Sequence, residues 1–278
     1  MIAVAGLIIV FASVLGGFAM VNGPFAMLLQ PAELIIIFGA AMGAFITSGT
    51  ACSLKLSLKG AGHAYFGKTP SKADYLELLS ALYALFAKIN REGVISVEKD
   101  IEDPASSPLF RGLAKNKSAC LFIGDTFRVY LTTGSIGELD HLMSVDMEIM
   151  HEEEMVGAHN VAHMADSLPG MGIVACVMGV VVTMGAINEP PEVLGHHIGA
   201  ALVGTFLGIL LCYGVFGPIA AKMENQAREQ NFFFQSIREA IGAAMRGSSP
   251  IIALEYGRRS IPMSFRPSFL EMEQKVKG

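Results

Sequence analysis

Four long apolar stretches dominate this chain of 278 residues. They run over about Ile2–Met20, Glu33–Thr50, Leu168–Ile187 and Ile198–Ala221. A helix needs about 20 apolar residues to cross a bilayer. In addition, only 16% of the residues are charged, whereas a soluble domain has about a quarter. The sequence therefore predicts a membrane protein with four transmembrane helices.

The positive charges predict how these spans are oriented. All twenty Lys and Arg residues fall within Lys55–Arg128 and Lys222–Lys277, and basic residues that flank spans stay on the cytoplasmic side. The segment between the second and third spans and the C-terminal tail are thus expected inside, and an even number of spans puts the N-terminus inside too. The first span lacks the basic n-region and cleavage site of a signal peptide.

The predicted fold is all-α, with four transmembrane helices, a helical cytoplasmic domain between spans 2 and 3, and a helical C-terminal tail. Its segments are residues 1–50 (spans 1 and 2), 51–165 (cytoplasmic domain), 166–222 (spans 3 and 4) and 223–278 (cytoplasmic helix and tail), and the loops outside are short. The net charge of −5 and the absence of an unbroken basic cluster argue against a nucleic-acid partner.

Apolar periodicity predicts the helices of the cytoplasmic region. Apolar residues recur at i, i+3, i+4 and i+7 until Gly93 ends the first helix. A later helix, which begins after Gly134, is expected to continue toward the membrane. Residues 222–246 are also predicted to be helical, and the last part of the chain is expected to be loose. The apolar side of helix 222–246 is predicted to consist of Phe232, Phe233, Ile237 and Ile241.

Histidines near the third span form one candidate metal site. Residues 151–155 read HEEEM, so Met155 stands where the zinc protease motif H-E-x-x-H needs its second histidine. His159 and His163 lie one helical turn apart, and no third ligand is evident. A solvated face is the preferred interpretation, with a membrane metalloenzyme using His151, His159 and His163 as the alternative.

Small residues recur at intervals of four along the fourth span, at Ala200, Gly204, Gly208 and Cys212. Such a face lets membrane helices approach closely, so we predict tight packing against another helix. Thr205 lies beside this face. Its hydroxyl either serves an ion path or is bonded to a carbonyl of its own helix.

The spans contain no titratable group at membrane depth. Glu33 at the outer end of the second span and Asp166 at the inner end of the third are expected near the interface, where charge is tolerated. Either the chain moves no ion, or a partner helix supplies the carrier. Pro169 and Pro218, at the cytoplasmic ends of spans 3 and 4, are candidates for a flexure, although Pro169 also fits a helix start.

Five stretches of the sequence carry a resemblance to a known family: QPAELIIIFGA from Gln30, VEKDIEDP from Val97, DSLPGMGIVACVMGVV from Asp166, ALVGTFLGILLCYG from Ala201 and EYGRRSIPMSFRPSFLEME from Glu255. In this order, and essentially end to end, the chain resembles the MotA family of flagellar stator proteins. In that family a ring of five MotA chains surrounds membrane helices of two MotB chains. MotB carries an essential aspartate and a peptidoglycan anchor, and ion flow drives movement against the rotor protein FliG.

The resemblance gives roles to residues of the spans. It implies that Thr205 lines the ion path beside the aspartate of MotB, and that Pro169 and Pro218 couple protonation to the cytoplasmic region. Sodium-driven relatives place an additional hydroxyl on the third span, where this chain has Ala175 and Cys176. The resemblance therefore favours protons as the transported ion and implies no cofactor.

The family's rotor contact uses a basic and an acidic residue of the first cytoplasmic segment. Glu98 matches the acidic residue, whereas the basic position falls on Asn90, and its role is assigned to the neighbouring Arg91. Composition alone would describe Arg91 and Glu98 as solvated charges. The predicted protein is thus a stator subunit of the inner membrane and not an enzyme. The alternative is an ExbB- or TolQ-like energiser of outer-membrane transport, which has three spans.

Overall fold

The structure, a computed structural model, describes residues 2–104 and 106–277, except for the side chain of Ile2. Every regular element in those ranges is helical, which confirms the predicted all-α fold. A 3₁₀ turn at Val94–Val97, another at Pro108–Phe110 and a π-helical turn at Cys212–Phe216 join some of the helices. The α-helices are α1 (Ile2–Met20), α2 (Phe25–Leu28), α3 (Pro31–Ser48), α4 (Ala51–Phe66), α5 (Lys72–Glu92), α6 (Glu98–Glu102), α7 (Lys117–Thr133), α8 (Ile136–Gly185), α9 (Pro191–Leu211), α10 (Gly217–Met245), α11 (Pro250–Ser260) and α12 (Phe269–Lys277).

Four helical stretches are long and apolar enough to cross a bilayer, in agreement with the four predicted spans. The third of them is the C-terminal part of α8, a single helix of 50 residues. The prediction that the last helix before span 3 continues toward the membrane is confirmed. Pro169 lies inside α8, so its interpretation as a helix-start proline is wrong.

The described chain forms two compact units. We call residues 2–68 with 153–226 the membrane unit, because it contains all four predicted spans, and residues 69–152 with 227–277 the polar unit. The division of the chain into segments inside and outside the membrane remains a prediction.

The membrane unit has small buried clusters and a large apolar surface. One cluster joins α3, α8 and the π-turn through Ile37, Leu168 and Cys212. By contrast, no residue of the apolar window of α1 is buried. Ile8 and Ile9 are 63% and 64% exposed. A surface of this kind is suited to lipid or to another apolar helix, since neither demands hydrogen bonds from it.

The polar unit is built on the amphipathic face of α5. Tyr75, Leu78, Leu82 and Phe86 are buried as the periodicity predicted, and Ser71 caps the helix by accepting a hydrogen bond from the N–H of Asp74. Gly93 then ends the helix with a positive φ of 83°, a backbone conformation that glycine adopts without strain.

The apolar side of α10 differs by one residue from the prediction. Phe233, Ile237 and Ile241 are buried, but Phe232 is 38% exposed and Phe234 is buried in its place. The ring of Phe234 contacts Phe122 of α7 at a centroid distance of 5.2 Å. The buried face of α10 is therefore rotated about the helix axis relative to the predicted apolar stripe.

The expectation of a loose C-terminal region is wrong. Both α11 and α12 pack on α5, with Leu254 and Met272 fully buried. Arg258 of α11 donates two hydrogen bonds to Glu255, at 2.7 Å each, and one to the carbonyl of Pro267. The hydrogen bonds from Arg258, opposed by partial burial and aided by Arg259, lower the pKa of Glu255 to about 2.

Candidate functional site

Glycines bring α8 and α9 into backbone contact in the membrane unit. A Cβ at Gly172 would lie 2.7 Å from the carbonyl oxygen of Gly204, and a Cβ at Gly208 would lie 2.5 Å from that of Leu168. Since backbone atoms cannot move aside as a flexible side chain can, only glycine fits at these positions. The predicted close packing of the fourth span is thus present, and its partner is α8 of the same chain.

The contacts continue toward the N-terminal end of α9 with a shift of one residue. Ala201 is buried against Gly179, where an added Cβ would lie 2.6 Å from the Cβ of Ala201. Ala200, which the four-residue spacing indicated, is only partly buried. The spacing of small residues follows a straight stripe, whereas the observed contacts follow the crossing of the two helices.

Thr205 lies at this α8–α9 interface. Its hydroxyl donates to the carbonyl of Gly172 in α8, at 3.5 Å, and not to its own helix. The hydroxyls of Thr47 and Thr183, in contrast, donate to the carbonyls four residues back, each at 2.8 Å. A bond at the outer limit of hydrogen-bond distance is weak, so the Thr205 hydroxyl is available to a further donor or acceptor.

Two prolines interrupt helical hydrogen bonding at the same end of this interface. Pro169 in α8 cannot donate to the carbonyl of Ala165, and Pro218 in the first turn of α10 cannot donate to that of Gly214. Cys176 lies one turn beyond Gly172 on α8 and is half-buried. The structure therefore places Pro169, Cys176 and Thr205 along one pair of helices.

A π-helical turn separates α9 from α10, and the sequence analysis did not foresee it. The N–H of Gly217 reaches the carbonyl of Cys212, five residues back. A Cβ at Gly217 would lie 2.8 Å from that same carbonyl oxygen. The only sequence signal was the pair of glycines, Gly214 and Gly217, immediately before Pro218. Turns of this type are frequent at functional sites.

Glu33 is the residue for which the sequence-based expectation was most misleading. It lies in the first turn of α3, but its side chain is buried, with 8% exposure, instead of lying free at the interface. Oε2 has no hydrogen-bond partner in the described part of the chain. This oxygen points at Gly204, the neighbour of Thr205, where a Cβ would overlap it.

The residues assigned to the rotor contact lie in the polar unit, on either side of the turn after α5. Arg91 is exposed in the last turn of α5, and its Nε donates to the carbonyl of Ala87 at 3.2 Å. Glu98 is exposed at the start of α6. Among the described residues neither of them forms an ion pair, so both charges face solvent.

An ion pair connects the two helices that flank this turn. Lys88 of α5 donates to Asp100 of α6 at 2.7 Å, and Ser107 donates to the other oxygen of Asp100 at 2.6 Å. Partial burial of Asp100 opposes their effect, yet the hydrogen bonds from Lys88 and Ser107 hold its pKa below the ordinary value. The pair links α5 and α6, the two helices that carry Arg91 and Glu98.

Comparison with known proteins decides the family. The model described as Motility protein A N-terminal matches residues 4–93, and that of the MotA/TolQ/ExbB proton channel family matches residues 120–236. Motility protein A of Escherichia coli (strain K12) is 37% identical over 283 aligned residues, covering 100% of this chain and 96% of the relative. The chain belongs to the motility protein A family.

Solved structures share the fold of this motility protein A family member. The structure of C. jejuni MotAB superposes with a TM-score of 0.80 at 17% identity, covering 94% of this chain and 95% of that one. The flagellar MotAB stator complex from Bacillus subtilis gives a TM-score of 0.75 at 20% identity, covering 91% and 92%.

Family membership decides between the two predicted functions, and it bears on the predictions about enzymatic activity and membrane location. The match to the motility protein A N-terminal model identifies a MotA-type chain, and an ExbB- or TolQ-like energiser is not supported. The family is a proton channel family and not an enzyme family. Together with four apolar helices, it identifies a multi-pass protein of the inner membrane. Within the described ranges, no three of His, Cys, Asp and Glu approach closely enough to hold a metal ion.

Proposed function

We propose that this chain is the membrane stator subunit of a bacterial flagellar motor, which conducts protons with a MotB-type partner and converts their flow into torque. The observation that carries the proposal is the likeness to Escherichia coli Motility protein A along the whole chain. The solved structures with this fold are themselves MotAB complexes.

The α8–α9 interface supports an ion path that a partner completes. Thr205 offers a hydroxyl there, while the central part of each predicted span contains no acidic residue in the sequence. Protons crossing a membrane need a titratable group, and a membrane aspartate of the MotB-type partner supplies it in this proposal. Ala175 and Cys176 on the facing helix add no second hydroxyl, which favours protons over sodium.

The exposed apolar surface supports an assembly of several copies. The apolar window of α1 is not buried within its own chain, and a ring of five chains around two partner helices, anchored through the partner to peptidoglycan, would cover such faces. In this arrangement both termini are cytoplasmic, residues 51–165 and 223–278 lie inside, and no nucleic acid is bound.

Rotor contact is assigned to the solvated charges at the turn after α5. Arg91 and Glu98 are exposed and carry opposite charge, which suits electrostatic contact with complementary charges of FliG. Surface charges act chiefly on the rate and orientation of encounter. Reversing either charge, with Arg91→Glu or Glu98→Lys, should therefore weaken torque while leaving the amount of membrane protein unchanged.

The decisive experiment is reconstitution in proteoliposomes. The full chain is purified with its candidate single-span partner or without it, and proton uptake is followed under an imposed potential. Uptake is expected only with the partner, and should be lost when the partner's membrane aspartate is replaced by asparagine. Uptake by the chain alone, equal to that of the pair, would contradict the proposal. Swimming speed in proton and sodium gradients then identifies the ion.

A further inference from the structure

Glu33 is a buried acid that the proposed path leaves unused. Its side chain is 8% exposed, and Oε2 lacks a hydrogen-bond partner in the described part of the chain. A buried polar group without a partner costs about 1–3 kcal/mol, and more when it is charged. Such exceptions are rare and call for an explanation.

The surroundings of Glu33 are shaped to admit a carboxyl group. Oε2 occupies the space that a side chain at Gly204 would fill, and Oε1 lies 3.5 Å from the position of a Cβ at Gly179. Three helices therefore meet at this carboxyl: α3 carries it, and glycines of α8 and α9 make room for it. Thr205 follows Gly204 directly, so the same helix turn serves both polar groups.

The position of Glu33 relative to Thr205 follows from helix geometry. Gly179, near the carboxyl, is seven residues along α8 from Gly172, which accepts the bond from Thr205. At 1.5 Å per residue this is about 10 Å along the helix. In the predicted topology the carboxyl lies on the outer side of Thr205. Oε2 also lies beside Gly204, the residue before Thr205, so the carboxyl is within one helical turn of Thr205, and water or a partner side chain can join the two polar groups.

We propose that Glu33 is a proton-carrying group of the channel, provided by this chain on the outer side of the partner's carboxylate. This inference rests on the proposed function. The Glu33 carboxylate takes a proton from a hydronium ion outside and becomes a neutral acid. It then releases that proton inward to the partner's carboxylate, through water if needed, and returns to the anion. The first turn of α3 stabilises the anion through the helix dipole.

The test compares E33Q, E33D and the control E192Q in the reconstituted complex with its partner. Gln keeps the shape of Glu33 but cannot carry a proton. The control residue, Glu192, is an exposed glutamate in the first turn of α9. E33Q should lower proton uptake per complex at least about ten-fold, since a positioned proton-transfer group contributes 10²–10⁴-fold. E33D should retain more uptake than E33Q, and E192Q should equal the wild type.

A second variant tests the same carboxyl without changing it. G204A places a methyl group where Oε2 lies and should lower uptake, whereas G43A on α3, where a Cβ meets nothing within 4 Å, should not. If the wild-type complex takes up protons and the E33Q complex takes them up equally well, the inference is overturned and the proposed function stands. Absence of uptake from the wild-type complex overturns the proposed function itself. If G204A lowers proton uptake and E33Q does not, Glu33 carries no proton and the inference is wrong.

Discussion

At the scale of single residues, hydroxyl groups in the membrane unit differ in what they bond. Thr47 and Thr183 are satisfied within their own helices, whereas Thr205 reaches weakly across to α8. A threonine bonded within its helix is a common way to bury a hydroxyl at low cost. The hydroxyl of Thr205 instead stays available to water or to a partner's carboxylate.

We therefore expect Thr205→Val, which keeps the side-chain shape, to reduce swimming speed severely without lowering the amount of protein in the membrane. Thr47→Val removes an exposed hydroxyl that is bonded within its own helix, and it should swim as the wild type does. Swimming speed and membrane immunoblots are measured for both. Equal speeds for the two variants would show that the Thr205 hydroxyl has no part in conduction.

Glycine positions give a second prediction at this scale. Gly208→Ala puts a methyl group 2.5 Å from the carbonyl oxygen of Leu168, so α8 and α9 must separate. Overpacking costs about 1–3 kcal/mol, and the thermal midpoint of the purified protein in detergent should fall. Gly43→Ala, with nothing within 4 Å of the new Cβ, should keep or raise it. An unchanged midpoint for Gly208→Ala would contradict the observed contact.

At the scale of helices, Pro169 interrupts a helix that is otherwise continuous from Ile136 to Gly185. Proline inside a helix costs about 3 kcal/mol relative to alanine. Pro169→Ala should therefore raise thermal stability and abolish motility, because the restored hydrogen bond stiffens α8 at the flexure. Pro191→Ala, at the first position of α9, is the control and should affect neither. Motility retained in Pro169→Ala would remove the flexure from the mechanism.

The C-terminal helices give a pH-dependent prediction. The pKa of Glu255 is lowered from 4.5 to about 2, so this carboxylate stabilises the fold above pH 4.5, and the contribution is lost as the pH falls from 4.5 toward 2. Glu255→Gln should cost about 1–3 kcal/mol at neutral pH.

That cost should vanish near pH 2. Stability is measured by denaturant unfolding of the polar unit within the full chain, followed through its tyrosines. Glu102→Gln, an exposed glutamate of α6, should change stability by less than about 0.5 kcal/mol. A cost for Glu255→Gln that does not depend on pH would exclude the pairing with Arg258 as its source.

The elements also show what sequence can predict. The spans and the buried face of α5 were predictable, because apolar length and periodicity are local properties. The burial of Glu33 was not, because depth was inferred from its place in a span, whereas its exposure is set by helices far away in sequence. The packing of α11 and α12 was missed because both helices are mostly polar, and the sequence does not show which of their few apolar residues are buried.

The candidate site also combines residues that the sequence predicted with a feature that it did not. Thr205, Pro169 and Pro218 were predicted as site residues because each residue type is unusual in an apolar span. The π-turn at Cys212–Phe216 was missed, because its only signal in the sequence is the pair of glycines Gly214 and Gly217. The roles of Arg91 and Glu98 came from family resemblance alone, because exposed charges carry no mark of their partner in the sequence.

At the scale of the whole molecule, membrane and polar units differ in what stabilises them. The polar unit has a continuous buried core, whereas the membrane unit buries few large side chains and relies on glycine contacts. We therefore expect partner chains and lipid to complete the membrane unit. Its thermal midpoint should rise when the full chain is co-purified with the MotB-type partner, because ligands of the native state stabilise it. An unchanged midpoint would argue against a tight complex.

The π-turn has a consequence for how this molecule can move. A helix that contains one extra residue in a single turn resembles a crystal that contains a dislocation: the defect can travel by exchanging one hydrogen bond for the next, and no segment has to melt. Each step of such travel would turn only the residue that the defect passes, by about 100°, the angle that one residue occupies in an α-helix. The backbone at Cys212–Phe216 can therefore rearrange locally while the helices on either side of it stay folded.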